Sequence, residues 1–179
     1  MTSAQALGEH AQALLNRLQK NRKKLAKWLR SNELSCFRLY DADLPEYAVA
    51  IDCYLEQSDT PQAGDTKTWF HVQEYAAPKT IDASRAKKHI DEVVKALSAA
   101  EQCERGRIVI KRRERQRGQQ QYQPLDNTAP FFNVREHGLT FKVNLGRYLD
   151  TGLFLDFRGV RALLPVSYTH LTLPTIRLV

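Results

Sequence analysis

The sequence is poor in cysteine: Cys36, Cys53 and Cys103 are three in 179 residues, far apart and odd in number. That pattern excludes a disulfide framework and a cysteine-only zinc site, and it fits a reducing cytosol. Before the last fifteen positions there is no run of about 18 uncharged residues, so a membrane-spanning helix is excluded over most of the chain. Residues 1–10 lack a basic region followed by an apolar core, and no secretory signal is expected. Also missing are a glycine-rich phosphate loop, the zinc-protease helix motif and the serine elbow. No βαβ unit with a glycine-rich first turn is present, so the residues give no nucleotide or cofactor pocket. A chain without these constellations is not expected to be a complete enzyme.

What is present is positive charge and a plain alternation of element signals. Lys and Arg number 27 against 20 Asp and Glu, a formal charge of +7 that favours polyanionic partners. Leu7, Ala11, Leu14, Leu15, Leu18, Leu25, Trp28 and Leu29 recur near a 3.6-residue period, which predicts a helix ending at Ser31 and Asn32. Between them sit Arg17, Lys20, Arg22, Lys23, Lys24, Lys27 and Arg30, with few acids. Strands are expected over 36–40, 47–55, 69–75 and 107–111. In the second, Val49, Ile51, Cys53 and Leu55 share one face. Asp82 is a suitable N-cap for a helix over 83–100, whose buried stripe is Ala86, Ile90, Val93, Val94 and Leu97. Residues 131–136 and 139–145 read as a hairpin around His137 and Gly138, with glycine supplying positive φ. Asp156 is placed to cap a last helix over 157–164. The order gives an α+β fold built mainly on an antiparallel sheet.

Residues 165–179 differ in character. The stretch VSYTHLTLPT has no charge and no helical period, and it is similar to the one-frame translation of a transposase adapter used in sequencing libraries. The expectation is that the genuine reading frame is lost near Leu164, that Pro165 stops the last helix, and that nothing functional resides in the tail.

The strongest local chemical signal is RIVIKRRERQRG over 107–118, a strand that delivers cations into a loop with a single acid among them. Phosphate backbones reward such a run, because each neutralised phosphate releases condensed counterions and arginine binds phosphate oxygens in two-pronged fashion. Lys111, Arg112, Arg113, Arg115 and Arg117 are therefore the candidate RNA-binding residues, with Tyr122 in the following glutamine-rich stretch as a stacking partner for exposed bases. Asp41, Asp43 and Glu46 lie within six residues, but Pro45 and the flanking strands make them acids of a solvated turn rather than a metal or acid–base site. The five histidines share no ligand spacing, and His71 is expected to be a packed or sheet-edge residue.

Several stretches together carry a resemblance: NRLQKN (16–21), LAKW (25–28), FRLYDADLPEY (37–47), VQEYAAPKTID (72–82), KRRERQRG (111–118) and YLDTGLFLD (148–156). From about Gly8 to Leu164 the chain closely resembles the bacterial ribosomal RNA large subunit methyltransferase K/L family, at the front part of the K half. The resemblance implies a cytoplasmic, two-headed enzyme that uses S-adenosylmethionine to methylate guanines of 23S rRNA. The L half acts at the exocyclic N2 amine of one guanine and the K half at N7 of another. It further implies that the glycine-rich turn and the Asp-Pro-Pro segment of the Rossmann-like domain lie beyond Leu164, so this fragment is not expected to bind the cofactor itself. The partners implied are 23S rRNA or the assembling large ribosomal subunit, with no membrane and no metal. By the same analogy Phe154, Asp156 and Arg158 border the cofactor in an intact parent. Phe157 departs from the family, standing where a histidine often precedes the arginine, and the polar stretch 56–68 is longer than the family's usual connection. The expected organisation is a basic helix and linker over 1–33, an RNA-binding α+β front domain over 34–156, the start of the catalytic domain over 157–164, and the tail. The competing reading is a stand-alone, non-enzymatic RNA-binding or ribosome-assembly module. A weaker one is a related cytosine-C5 RNA methyltransferase, against which DADLPE (41–46) argues.

Overall fold

The computed structural model describes residues 8–57, 67–75, 83–112, 129–148 and 150–167. Helix α1 (Glu9–Ser31) turns Ala11, Leu14 and Leu18 inward and ends at Asn32, whose side-chain amide donates to the Trp28 carbonyl at 2.9 Å. Strands β1 (Cys36–Asp41), β2 (Val49–Leu55), β3 (Thr68–Glu74) and β4 (Ile108–Arg112) form one sheet in that order. The first two pairings are antiparallel. The β3–β4 pairing is parallel, because helix α2 (Ala83–Glu101) and a 3-10 turn (Arg105–Arg107) carry the chain back across the sheet. Asp82, the expected cap of α2, lies outside the described residues.

Helices α1 and α2 pack together over one sheet face. Leu14 and Leu18 of α1 and Val93, Val94, Ala96 and Leu97 of α2 meet Phe37, Leu39, Val49, Ile51, Cys53, Phe70 and Val72 in one core. The alternation in β2 thus sends Val49, Ile51 and Cys53 to the helices. The opposite face differs from a solvated one: Ala50, Asp52 and Tyr54 are buried as well. What covers it is the hairpin β5 (Phe132–Glu136) and β6 (Leu139–Val143), followed by residues 144–148 and 150–158. Phe132, Val134, Val143, Leu145 and Leu153 close on Cys36 and Tyr54 as a second core.

The hairpin turn places His137 at φ 50° and Gly138 at φ 78°, two consecutive left-handed residues as a tight hairpin requires. Its far end, Leu139, is 42 % exposed, so only Val143 and Leu145 of the expected apolar face are fully buried. Ser35 ties β5 to the start of β1, its backbone N–H donating to the Arg135 carbonyl at 2.9 Å. After a glycine at φ 85°, Gly152, a 3-10 turn (Leu155–Phe157) leads into helix α3 (Arg158–Ser167). Asp156 therefore sits in the 3-10 turn rather than capping an α-helix. Pro165 does not stop α3 at once: the helix runs on through Ser167.

Candidate nucleic-acid interface

Register on the hairpin-side sheet face brings polar side chains into rows. Arg38 opposes Asp52, which opposes His71; in the next row Asp41, Ala50, Gln73 and Lys111 follow one another across the four strands. Arg38 holds Asp52 with two hydrogen bonds, Nε at 2.8 Å and Nη2 at 3.2 Å, and reaches Asp41 at 3.3 Å. Burial pushes the Asp52 carboxyl upward in pKa, and the Arg38 hydrogen bonds oppose that rise. His71 is fully buried, as a packed histidine, and burial with Lys111 and Arg38 nearby pushes its pKa down to about 3. Its Nε2 has no partner among the described residues.

These rows floor a cleft of about 730 Å³ whose other wall is the segment 150–158 and the end of α1. Phe154, Asp156 and Arg158, expected together near a cofactor, do line one cavity, joined by Trp28, Arg38 and Lys111. Trp28, a member of the helical apolar period of α1, is 43 % exposed and lies under the Arg158 guanidinium, 5.4 Å from the ring centroid. Phe154 is exposed and meets Phe157 edge-on at 6.3 Å. To an adenosyl group the chain's own residues offer an aromatic face and a carboxylate, Phe154 and Asp156. No strand-to-helix glycine turn is present among the described residues.

The predicted RNA contacts divide. Lys111 is not at the surface: it is buried, and its Nζ donates to the Tyr148 carbonyl. The physical reason is strand parity, which turns Lys111 onto the hairpin-covered face beside Gln73. Burial pulls its pKa down to about 8. Arg112, next along the strand, has a half-exposed side chain and an ion pair with Glu74 at 2.7 Å. Arg113, Arg115, Arg117 and Tyr122 lie outside the described residues.

On α1 the cations separate by face. Arg22 turns inward, 3.5 Å from Glu101 and over the Phe37 ring. Lys20, Lys23, Lys24, Lys27 and Arg30 all point to solvent, and the helix contains one acid, Glu9, a full turn or more away from them. The acids of 41–46 form a turn stitched by Tyr40, whose hydroxyl accepts from the Leu44 N–H and donates to the Tyr47 carbonyl. Asp43 accepts from Asn21 of α1 at 2.7 Å. Among the described residues no cluster of three or more potential metal ligands exists, and no helix is long and apolar enough to cross a membrane.

Sequence reading missed Glu136. Its carboxylate, 1 % exposed, accepts from Arg158 and Arg161 at 2.8 Å each. Nothing local in the sequence marks it, because its partners lie beyond the hairpin and the junction.

No protein-family model matches the chain. Among curated proteins it is 48% identical over 154 residues to the ribosomal RNA large subunit methyltransferase K/L of Marinomonas sp. and 50% identical over 160 residues to that of Cellvibrio japonicus. The matches cover 86% and 88% of this chain, but the chain spans only about a fifth of the relatives' length, 20% and 21%. Among solved structures, a putative SAM-dependent methyltransferase from Streptococcus mutans shares the fold, with TM-score 0.56 and 22% identity over 89% of this chain and 37% of that one. A putative methyltransferase complexed with SAH aligns with TM-score 0.53 and 19% identity, over 88% of this chain and 36% of its own. Over most of its own length, the chain therefore corresponds to one segment of the bacterial ribosomal RNA large subunit methyltransferase K/L family.

Proposed function

We propose that this chain is the RNA-gripping front segment of an S-adenosylmethionine-dependent 23S rRNA guanine methyltransferase, the part that holds rRNA and presents a guanine to a catalytic domain. The observation that carries this reading is the cleft itself, built half from the sheet (Arg38, Gln73, Lys111) and half from the segment 150–158 that resembles the approach to the family's cofactor. The five outward cations of α1 and the run Arg112, Arg113, Arg115 and Arg117 supply the grip on phosphates, with Tyr122 stacking on a base. Lys111 serves from within, by fixing Tyr148.

The K-type reaction at guanine N7 suits a segment of this kind. N7 carries a free lone pair, and the cofactor's sulfonium supplies an activated methyl group, so little acid–base help is needed and positioning provides most of the rate. N7 is the target we assign to this half, and N2 to an L-type half. In the intact parent Phe154, Asp156 and Arg158 border the cofactor, and the setting is the cytoplasm during assembly of the large ribosomal subunit.

The test is fluorescence anisotropy of the chain with a structured 23S rRNA fragment across 50–200 mM salt. Expected is a steep fall of affinity with salt, with a slope lowered by roughly one to two when Arg112→Ala and Arg115→Ala are combined. Binding that ignores salt, or is absent, overturns the grip. Calorimetry with S-adenosylmethionine is its companion: tight binding by this chain alone overturns the assignment as a front segment.

A further inference from the structure

We propose that Phe131, Arg147 and Tyr148 form a stacking platform for one unpaired RNA base, separate from the cleft. The inference rests on the RNA-binding reading above and adds a site to it. The Arg147 guanidinium lies 6.0 Å from the Phe131 ring centroid and 5.5 Å from that of Tyr148, within cation–π range of both. Its Nε is buried and has no acceptor among the described residues, and no carboxylate pairs with the guanidinium there. A guanidinium in that state is an expense that a structure seldom carries without a use. Phe131 has about half its surface in solvent, a flat apolar face next to a cation that no carboxylate pairs among the described residues.

The arrangement is held rigidly. Asn144, 2 % exposed, accepts at Oδ1 from the backbone N–H groups of Gly146 (3.0 Å) and Arg147 (2.6 Å), and donates from Nδ2 to the carbonyls of Ala129 (2.7 Å) and Pro130 (3.1 Å). One side chain therefore locks the loop bearing Arg147 to the loop bearing Phe131. Lys111 locks the third member by donating to the Tyr148 carbonyl. An exposed aromatic face beside a guanidinium charge fits the π-face of a base and the charge of its phosphate, and it does so without regard to base identity.

The experiment uses the full chain and a fluorescein-labelled single-stranded RNA decamer carrying one 2-aminopurine. Stacking predicts that 2-aminopurine emission is quenched several-fold on binding. Phe131→Ala should abolish the quench and weaken binding by roughly 5- to 100-fold. Arg147→Lys keeps the charge but not the plane, so it should lose the quench while the salt slope stays as in the wild type. Should Phe131→Ala fail to fold, the Arg147→Lys arm alone decides. Salt-dependent binding with no quench in the wild type, or a quench that survives both substitutions, overturns the platform and leaves the grip standing. No RNA binding by the wild-type chain overturns both.

Discussion

The carboxylate of Glu136 accepts from Nε of Arg158 at 2.8 Å, joining the last residue of β5 to the first residue of α3 across 22 positions of sequence. The second oxygen takes Arg161 at 2.8 Å, while Arg158 also donates to the Cys36 carbonyl and Arg161 to that of Phe154. Neither guanidinium retains much exposure, so the carboxylate compensates two charges that water does not. Glu136→Gln removes that compensation and keeps the volume. Losing one partner of a buried ion pair costs about 3–5 kcal/mol, and a loss of that order in chemical denaturation is the expected result. A change below about 1 kcal/mol would mean that the junction is held by packing alone.

Lys111 gives the chain an alkaline signature. Its folded pKa near 8 lies below the ordinary 10.5, so between those values the unfolded state binds more protons than the folded one. Lys111 therefore adds stability as pH rises above about 8 and the buried ammonium loses its proton. Cys36, Cys53 and Cys103, whose thiols burial pushes up, subtract it once the unfolded chain's thiols ionise near pH ~8.5. Tyr40 and Tyr54, pushed upward by burial, act in the same sense as the thiols once the unfolded chain's tyrosines ionise near pH 10. The difference in urea unfolding free energy between the wild type and Lys111→Met, followed between pH 7.5 and 9.5, isolates the lysine from the thiols: it should shift in the wild type's favour as pH rises. A difference that does not change with pH would take this role from Lys111.

The elements were legible because local pattern and tertiary context agree. The 3.6 period of Leu14 and Leu18, the stop at Asn32 and the alternation of Val49, Ile51 and Cys53 all survive into the structure. Side-chain commitments at longer range were not. Lys111 reads as one cation in a run, and only the parallel pairing of β4 with β3 reveals that it faces Gln73 under the hairpin. Trp28 satisfies the helical period but falls where the cleft opens, so it stacks with Arg158 instead of entering the core. The gathering of Phe154, Asp156 and Arg158 in one cavity follows from segment order, whereas the Arg38–Asp52 pair in its floor depends on strand register.

The His137–Gly138 turn makes a local prediction. Gly138 sits at φ 78° with nothing within 4 Å of a would-be Cβ, so a substitution there meets strain and no clash. Gly138→Ala should cost about 1 kcal/mol, and Gly138→Asn less, because asparagine tolerates the left-handed region better. Thermal unfolding of the two variants orders them. Equal losses would show that the turn's backbone, rather than its left-handed demand, sets the cost.

The outward cations of α1 separate a functional charge from a merely soluble one. Lys23 and Lys27 lie one turn apart, both exposed, with no salt bridge to either among the described residues. Reversing them, Lys23→Glu with Lys27→Glu, touches no core residue, so stability should move by no more than about 0.5 kcal/mol. If the face grips RNA, the double reversal should lower affinity for an rRNA fragment by an order of magnitude or more. The slope of log K against log salt should fall by about 2, as roughly one counterion is released per neutralised phosphate. Lys23→Gln with Lys27→Gln removes the attraction without adding repulsion and should show the same change of slope with a smaller loss of affinity. An unchanged slope in both variants would confine the grip to the cations around β4 and leave α1 as the lid of the hydrophobic core.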